Sequence, residues 1–308
     1  MKKVLLTGAM GMVGRAIAAR LVNQDVQLIA HDRSTMQGLS DALIKVRGDL
    51  RDTHALYRLL RTHDVDTVIH AGGISGPMLL REDPYQLAEV NVIASIQLIE
   101  AARSCGVRRF VYMSSAAAYG DMHGRTHNDS PVTEDTALRP KDVYGASKGA
   151  VELILAGYRS QCDFDGVSLR LANVYGPGRQ TTCAVKQMLE DALAARATRF
   201  DWGAGEYRPY CYIDDTIDAI IAAAKAGVIQ RPVYNIAGPE YVAMEDVAAA
   251  VQKAVPGAQI SFEPGLSAHG YRRDALDLGA AAQDFGFKPV IGIDEGVVRY
   301  RNWLQANS

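Results

Sequence analysis

The 308-residue chain carries 33 basic and 35 acidic residues, for a formal net charge of −2. This balance excludes the global basic field by which proteins bind nucleic acids or acidic membranes. Nearly half of the residues are apolar, and no apolar run is long enough to span a bilayer. The four cysteines are scattered without metal-ligand spacing. We therefore expect a cytoplasmic protein with reduced thiols that binds neither a membrane nor a nucleic acid.

The first elements are a short apolar strand at Val4 to Leu6, a turn rich in glycine, and a helical pattern from Met12 to Val22. Glycines allow a tight turn and the close approach of a ligand, and the helix N-terminus offers unpaired N–H groups to a pyrophosphate. Because the turn lies between a strand and a helix, it predicts dinucleotide binding. The residues expected to contact the cofactor here are Gly8, Gly11, Met12, Val13 and Gly14.

The second strand, Val26 to Ala30, leads to Asp32 and Arg33. A carboxylate at this position suits the ribose hydroxyls of NAD and repels the 2′-phosphate of NADP. Arg33 could bind that phosphate, or it could be a solvated loop charge. We predict NAD as the cofactor, with Asp32 and Arg33 both in its site.

Two further loops are expected to reach the cofactor. The strand from Thr67 to His70 ends in small residues, at the sheet edge where a doubly wound sheet binds its ligand. Asp49 could accept a hydrogen bond from an adenine amino group, or it could cap the helix that follows and runs to about Arg61. The residues assigned to the cofactor in these loops are Asp49, Leu50, Ala71, Gly72 and Gly73.

A long helix is predicted from Pro84 to about Cys105, with Asn91 among its apolar residues. A buried asparagine usually satisfies backbone groups, and Asn91 could do so while positioning the active-site helix beside the cofactor. The strand from Arg109 to Met113 is followed by Ser115. A hydroxyl is therefore expected at the carboxyl edge of the sheet.

The segment from Val143 to Lys148 opens an apolar-periodic run that predicts a helix to Tyr158. Tyr144 and Lys148 are four residues apart and so share one helix face. A cation one turn away favours the phenolate form of a tyrosine, so the pair could serve as a general acid/base on a hydroxyl. The same spacing is also common on solvated helix faces.

The polar loop from residue 121 to 142 holds His123, His127, Asp129 and Glu134. Surface loops are routinely rich in these residue types, so we predict no metal site.

A sixth strand, Val167 to Leu171, completes an alternation of strands and helices that is typical of an α/β fold with a doubly wound parallel Rossmann sheet. We expect residues 1–175 to form the NAD-binding domain, with a later segment at about 208–240 returning to it. Residues 176–308 are expected to form mainly a smaller C-terminal α/β substrate lobe. In this part the sequence predicts helices near 182–195, 216–226, 244–255 and 293–304, and short strands near 233–236 and 259–262.

Taken in order, these motifs resemble the extended short-chain dehydrogenase/reductase family, which comprises NAD-dependent sugar epimerases and dehydratases. The resemblance covers nearly the whole chain. It rests on the glycine turn at 7–14, Gly48-Asp49, His70-Ala71-Gly72, Asp83-Pro84 ahead of Asn91-Val92, Ser114-Ser115 ahead of Tyr119-Gly120, Tyr144 with Lys148, Asn173 to Pro177, and Arg208-Pro209-Tyr210 ahead of Ile213-Asp214-Asp215.

The resemblance implies an enzyme in which Tyr144 is the acid/base, Lys148 supports its phenolate and holds the nicotinamide ribose, and Ser115 hydrogen-bonds the reacting hydroxyl. It also implies a homodimer, formed by pairing the helices near 88–104 and 145–161.

On the substrate side the resemblance implies a sugar or nucleotide sugar. Asn173 matches a residue that contacts the diphosphate, Arg208 resembles a phosphate-binding arginine, and Arg272 or Arg273 could be the second one. Ser75 is assigned to the same substrate site.

Dehydratases of this family carry Asp and Glu directly after the catalytic hydroxyl residue, where this chain has Ala116 and Ala117. The favoured reaction is therefore a 4-epimerisation of a UDP-hexose type of nucleotide sugar, by transient hydride transfer to NAD. The segment Cys183 to Gln187 departs from the loop that holds the nucleotide base in the family. A NAD-dependent dehydrogenase of a free sugar, sugar acid or related hydroxy compound is the alternative, and a NAD-binding sensor without turnover is a third reading.

Overall fold

Strands and helices alternate along the chain in the computed structural model, which describes residues 1–122, 130–266 and 272–307. The strands are β1 (Lys3–Thr7), β2 (Gln27–Asp32), β3 (Ile44–Arg47), β4 (Thr67–His70), β5 (Arg109–Ser115), β6 (Gly166–Leu171), β7 (Asn173–Tyr175), β8 (Thr198–Ala204), β9 (Tyr207–Tyr212), β10 (Val233–Ile236), β11 (Tyr241–Ala243) and β12 (Ile260–Pro264). The α-helices are α1 (Met12–Leu21), α2 (Thr53–His63), α3 (Pro84–Ala88), α4 (Ala94–Ser104), α5 (Val143–Cys162), α6 (Ala184–Leu193), α7 (Ile213–Lys225), α8 (Met244–Ala254), α9 (Gly279–Phe285) and α10 (Ile293–Ala306).

The central sheet has seven parallel strands in the order β10-β6-β5-β4-β1-β2-β3. The strand order reverses between β1 and β4, so the loops that follow these two strands flank a crevice at the carboxyl edge of the sheet. This confirms the predicted doubly wound Rossmann fold. It also puts the glycine turn and residues 71–73 side by side.

Alternation along β1 divides the core between the two faces of the sheet. Val4 and Leu6 are fully buried in a cluster that includes Ile17 of α1. Leu5, between them, is fully buried in a second cluster with Leu98 of α4 and other residues of the opposite face. Because successive strand side chains point to opposite faces, one short apolar run anchors helices on both sides.

The chain after β6 builds two small sheets, β11-β9-β7 and the pair β12-β8. Strand β10 returns to the edge of the central sheet beside β6. The sequence analysis did not predict β7, β9, β11 or α9, which are short elements of three to seven residues. Runs this short carry too little periodicity to be recognised, and long-range pairing defines them.

The long helix predicted from Pro84 to Cys105 is interrupted by one π-helical turn, Glu89–Ile93. Asn91 lies in this turn and is buried. Such a bulge inserts an extra residue into a helical turn and is common at functional sites. Here it accompanies a set of contacts between the Asn91 amide and two other segments.

Candidate active site

The glycine turn between β1 and α1 is packed too closely for any side chain at its outer positions. A Cβ on Gly14 would lie 2.0 Å from the Gly8 carbonyl oxygen, and one on Gly8 would lie 2.6 Å from the Ala71 oxygen. Gly8 also has a φ of +69°, which favours glycine. Helix α1 begins at Met12, followed by Val13, with no side-chain cap and no acidic residue in its first turn. The N–H groups of this turn can therefore hold a pyrophosphate.

Asp32 ends β2 beside this turn. Its Oδ2 accepts a hydrogen bond of 2.9 Å from the Met10 N–H, and its Oδ1 accepts one of 2.9 Å from the Ser34 N–H. The carboxylate is thereby oriented at the edge of the crevice, where ribose hydroxyls can reach it. Arg33 is exposed.

Asp49 does not cap α2, which corrects one of the two readings offered by the sequence. The cap is Asp52, whose Oδ1 accepts a hydrogen bond from the Ala55 N–H at 2.9 Å. Both carboxylate oxygens of Asp49 instead accept hydrogen bonds from the Arg51 guanidinium, at 3.0 and 2.8 Å. These bonds lower the pKa of the Asp49 carboxyl to about 2.

Leu50 packs against the end of β4. A Cβ on Gly72 would lie 2.7 Å from Leu50 Cδ1, so a small residue is required there. The predicted cofactor residues Ala71, Gly72 and Gly73 follow β4 in the same crevice.

A buried hydrogen-bond chain that the sequence analysis missed fixes the backbone at this point. Ser95 Oγ donates to the Asn91 carbonyl at 2.6 Å, so it accepts from His70 Nε2 at 2.9 Å. His70 Nδ1 then accepts from Thr7 Oγ1 at 2.6 Å, and Thr7 Oγ1 accepts from the Gly72 N–H at 3.2 Å. Burial, with a contribution from the nearby Lys148 charge, lowers the pKa of His70 to about 3. The imidazole is therefore neutral, as this chain of donors and acceptors requires.

Asn91 joins the loop after β4 to helix α5, as the sequence analysis expects. Its Oδ1 accepts a bond of 2.7 Å from the Ile74 N–H, and its Nδ2 donates to the Ile74 carbonyl at 3.0 Å. The same Nδ2 donates to Ser147 Oγ at 3.2 Å, and Ser147 in turn donates to the Tyr144 carbonyl at 2.7 Å. A Cβ on Gly73 would lie 3.0 Å from Asn91 Oδ1 and 4.0 Å from Lys148 Nζ. The predicted residues Gly73, Asn91 and Lys148 thus lie together.

Ser115, at the end of β5, is the N-cap of a 3₁₀ turn at Ala116–Tyr119. Its Oγ accepts a hydrogen bond of 3.1 Å from the Ala117 N–H. The hydroxyl is held in place by this bond and keeps its own O–H to donate. Ala116 and Ala117 are both buried.

Helix α5 begins against this turn. Asp142 caps it by accepting a bond of 2.7 Å from the Gly145 N–H. A Cβ on Gly145 would lie only 2.5 Å from the Ala117 carbonyl oxygen, so glycine permits the helix to approach the 3₁₀ turn. Tyr144 is 8% exposed and packs in a cluster with Leu87 and Ala117. This places the phenol at the same edge as Ser115.

Lys148 extends from the next turn of α5 and is buried. Its Nζ donates to the Met113 carbonyl at 2.9 Å and lies 4.9 Å from the ring centroid of Tyr112 and 5.9 Å from that of Tyr144. Burial lowers the pKa of Lys148 to about 8, and the Glu152 carboxylate opposes this shift. At neutral pH the side chain is an ammonium ion near the phenol.

The small sheet carries unpaired donors beyond this centre. Leu171 pairs with Ser115 between β6 and β5, and Asn173 follows two residues later at the start of β7. Asn173 Nδ2 is buried without a hydrogen-bond partner, as are Nε and Nη2 of Arg208 on β9. The Arg208 guanidinium lies 4.9 Å from the Trp202 ring centroid. Buried N–H groups that lack partners are costly, so a polar or anionic ligand bound at this place would satisfy them.

The two candidates for a second arginine differ in their surroundings. Arg272 is half exposed and lies 3.9 Å from the Glu206 carboxylate. Burial, followed by repulsion from Arg208, lowers the pKa of Arg273 to about 10, while Tyr144 and Asp142 act in the opposite direction. Arg273 thus lies within electrostatic reach of Arg208 and Tyr144. Ser75 is exposed in the loop after β4.

Two features concern other classes of function. No group of three or more His, Cys, Asp or Glu residues suited to a metal is found within 1–122, 130–266 and 272–307, and His123, His127 and Asp129 lie outside these ranges. Within the same part of the chain, no helix combines the length and apolar character needed to cross a membrane.

Comparisons with known proteins agree on one family. Residues 4–237 match the sequence model described as the NAD dependent epimerase/dehydratase family. The UDP-glucose 4-epimerase of Mycolicibacterium smegmatis is 30% identical over 312 residues, covering 96% of each chain. The GDP-mannose 3,5-epimerase of Arabidopsis thaliana is 27% identical and covers 98% of this chain and 82% of that protein.

Solved structures show the same fold. The UDP-glucose 4-epimerase of Thermus thermophilus in complex with NAD superposes with a TM-score of 0.88 at 26% identity, covering 99% of this chain and all of the other. The UDP-glucose 4-epimerase of Thermotoga maritima with UDP-glucose gives a TM-score of 0.90 at 22% identity, covering 99% of each chain.

Proposed function

The chain belongs to the NAD-dependent epimerase/dehydratase family, and from this premise we propose that it is a 4-epimerase of a UDP-hexose. The observation that carries the proposal is the set of unpaired buried donors on Asn173 and Arg208, which lie beyond the Ser115 end of the sheet. These donors suit the diphosphate of a nucleotide sugar, because guanidinium and amide N–H groups bind phosphoryl oxygens well. The reacting sugar would then reach Ser115 and Tyr144.

The residues of the crevice fit NAD. We assign the pyrophosphate to the glycine turn and the first turn of α1, which has neither a side-chain cap nor an acidic residue. Asp32 would bind the adenosine ribose, and Lys148 with Tyr144 would hold the nicotinamide ribose. Bound NAD supplies the acceptor and donor of the hydride that leaves and returns to the substrate carbon.

The chain's own residues handle the proton. Tyr144 would remove the proton from the sugar hydroxyl as the carbon is oxidised, and it would return the proton when the keto sugar is reduced from its other face. The Lys148 ammonium lies 5.9 Å from the centroid of the Tyr144 ring, where it would stabilise the negative charge that develops on the phenol oxygen during the proton transfer. Ser115, held by the Ala117 N–H, would donate its O–H to the reacting oxygen.

Dehydration lacks its acid and base in this site. Elimination of water requires a proton donor and a proton acceptor at the sugar, and the family resemblance assigns these roles to Asp and Glu directly after the catalytic hydroxyl residue. Ala116 and Ala117 occupy these positions, and their buried methyl groups can do neither.

On the substrate side we assign the diphosphate to Asn173 and Arg208, with Arg273 as the second arginine. Arg273 lies within electrostatic reach of Arg208 and Tyr144, and Arg272 lies 3.9 Å from the Glu206 carboxylate. Stacking of Arg208 on Trp202 leaves the edge of the guanidinium fork available to an anion.

The test is to purify the protein, measure whether NAD stays bound, and follow interconversion of UDP-glucose and UDP-galactose. We expect retained NAD and isomer exchange without net NADH, and loss of exchange in Tyr144→Phe. Net NADH release from a free sugar or sugar acid would replace this function by that of a dehydrogenase. If none of these compounds is turned over, and Tyr144→Phe binds NAD as tightly as the wild type, the result would favour a sensor that binds NAD without turnover.

We also propose that the protein is a homodimer. Ile93 and Leu153 are large apolar residues that are 51% and 68% exposed, so a second copy could cover them. They lie on the π turn that leads into α4 and on α5, the helices that the family resemblance assigns to the dimer interface. Sedimentation of the wild type against Leu153→Glu tests this, since a buried charge would dissociate the dimer.

A cytoplasmic location is proposed on the state of the thiols. Cys105, Cys162, Cys183 and Cys211 are all free. Free thiols are typical of a reducing compartment.

A further inference from the structure

Glu152 is a buried carboxylate on α5 that the mechanism above does not use. It is 5% exposed and lies one helical turn beyond Lys148. Its Oε2 accepts hydrogen bonds from Nε and Nη2 of Arg170 at 3.0 and 2.9 Å. Its Oε1 accepts a hydrogen bond from Ser114 Oγ. The buried carboxylate is thus paired with a guanidinium and also accepts a bond from a hydroxyl, so its oxygens have the partners that burial requires.

These contacts tie α5 to the end of β5, residue by residue. Lys148 Nζ binds the Met113 carbonyl, Glu152 binds the Ser114 hydroxyl, and Ser115 is the next residue along the strand. The spacing between the phenol on α5 and the hydroxyl of Ser115 depends on this register. Arg170 extends the network, since its Nη1 donates to Tyr119 Oη at 2.7 Å.

Glu152 also acts on the charge of Lys148. The titratable groups that surround the ammonium are His70 on β4, Tyr112 on β5, and Tyr144 and Glu152 on α5. His70 is neutral because burial lowers its pKa to about 3. Behind Glu152 lie Arg170 on β6 and Tyr119 in the 3₁₀ turn, whose pKa is raised to about 12 chiefly by burial. Glu152 thus supplies the negative charge that opposes the effect of burial on Lys148.

We propose that Glu152 is a positioning residue, which keeps Lys148 in its ammonium form and holds α5 in register with the Ser115 end of β5. The proposal rests on the proposed function only in that Lys148 binds the cofactor ribose and supports Tyr144. NAD binding can report on it even if no substrate is turned over.

The experiment compares Glu152→Gln with the wild type. The dissociation constant for NAD is measured by fluorescence quenching from well below to well above the Lys148 pKa of about 8. Loss of the carboxylate lowers this pKa further. We expect the alkaline loss of NAD affinity to begin roughly one pH unit lower, which is about a tenfold weaker affinity at a given pH on that limb. If exchange activity is present, its alkaline limb should move in the same direction.

Ser114→Ala is the matched control, since it removes the hydrogen bond and keeps the carboxylate. Its NAD affinity should fall at the same alkaline pH as that of the wild type, although its melting temperature is lower. Glu152→Gln leaves Arg170 buried without its counter-ion and could fail to fold, so the double variant Glu152→Gln with Arg170→Gln carries the same test.

A lower melting temperature with an unmoved alkaline limb in the Glu152 variants would reduce Glu152 to a structural role and overturn the proposal. The proposal would also be overturned if the NAD affinity of the wild type did not fall at alkaline pH. Absence of epimerase activity in the wild type, with the NAD limbs behaving as expected, would refute the proposed function and leave this inference intact.

Discussion

Gly145 offers a sharp test of how α5 is placed. In Gly145→Ala the new Cβ would lie 2.5 Å from the Ala117 carbonyl oxygen, whereas ordinary contacts begin near 3.4 Å. The helix and the 3₁₀ turn must then separate by about 0.9 Å. Both partners are backbone, so no flexible side chain can absorb the displacement. Tyr144 is the preceding residue, and the Ala117 N–H holds Ser115, so the Tyr144 phenol and the Ser115 hydroxyl move apart.

A displacement of about 1 Å between reacting groups can reduce a rate by about 100-fold. We therefore expect kcat to fall by about 100-fold in Gly145→Ala, with KM changing much less because Asn173 and Arg208 lie on another sheet. Overpacking should also lower the free energy of unfolding by about 1–3 kcal/mol. This loss would appear even though alanine is intrinsically the better helix former by about 1 kcal/mol.

Gly157→Ala is the matched control in the same helix, because a Cβ there meets no atom of the same chain within 4 Å. Gly157 lies one helical turn from Leu153 on the proposed dimer face, so sedimentation must show the same oligomeric state for both variants. Gly157→Ala should keep the wild-type kcat and gain up to about 1 kcal/mol in unfolding free energy. Isomer exchange gives kcat and KM, and urea unfolding gives the free energy. The reasoning is refuted if Gly145→Ala behaves like Gly157→Ala in both measurements.

Two further predictions concern the charged groups. Arg208→Lys should raise KM for a nucleotide sugar about tenfold or more with kcat nearly unchanged, because an ammonium cannot replace the two parallel hydrogen bonds of a guanidinium. Trp202→Leu should raise KM by a smaller factor. An unchanged KM in steady-state kinetics would contradict this prediction. The pKa of Lys148 is about 8 in the folded chain against an ordinary 10.5, so between these values the unfolded chain binds more protons and stability rises with pH. The free energy of unfolding should rise by at most about 3 kcal/mol over this pH range in the wild type, and it should not rise in Lys148→Met. Urea unfolding measures both, and the same pH dependence in the wild type and in Lys148→Met would disprove the prediction.

Local sequence patterns were sufficient to predict the parallel sheet, the glycine turn and the helix that carries Tyr144. Each depends on the spacing of apolar residues, glycines or a helical pair within about one element. The position of Asn91 among apolar residues was likewise enough to expect its backbone contacts, although not the π turn around it.

The sequence by itself therefore determined the longer helices, most strands of the central sheet and the chemical groups at the carboxyl edge of that sheet, because periodicity and strand-end position are local properties. Only the tertiary structure decided which of those groups meet. It joined Asn91 to Ile74 and Ser147, and it joined Glu152 to Arg170 and Ser114. Partners in space are chosen by packing between segments distant in the chain, and side-chain charge and burial follow from that packing.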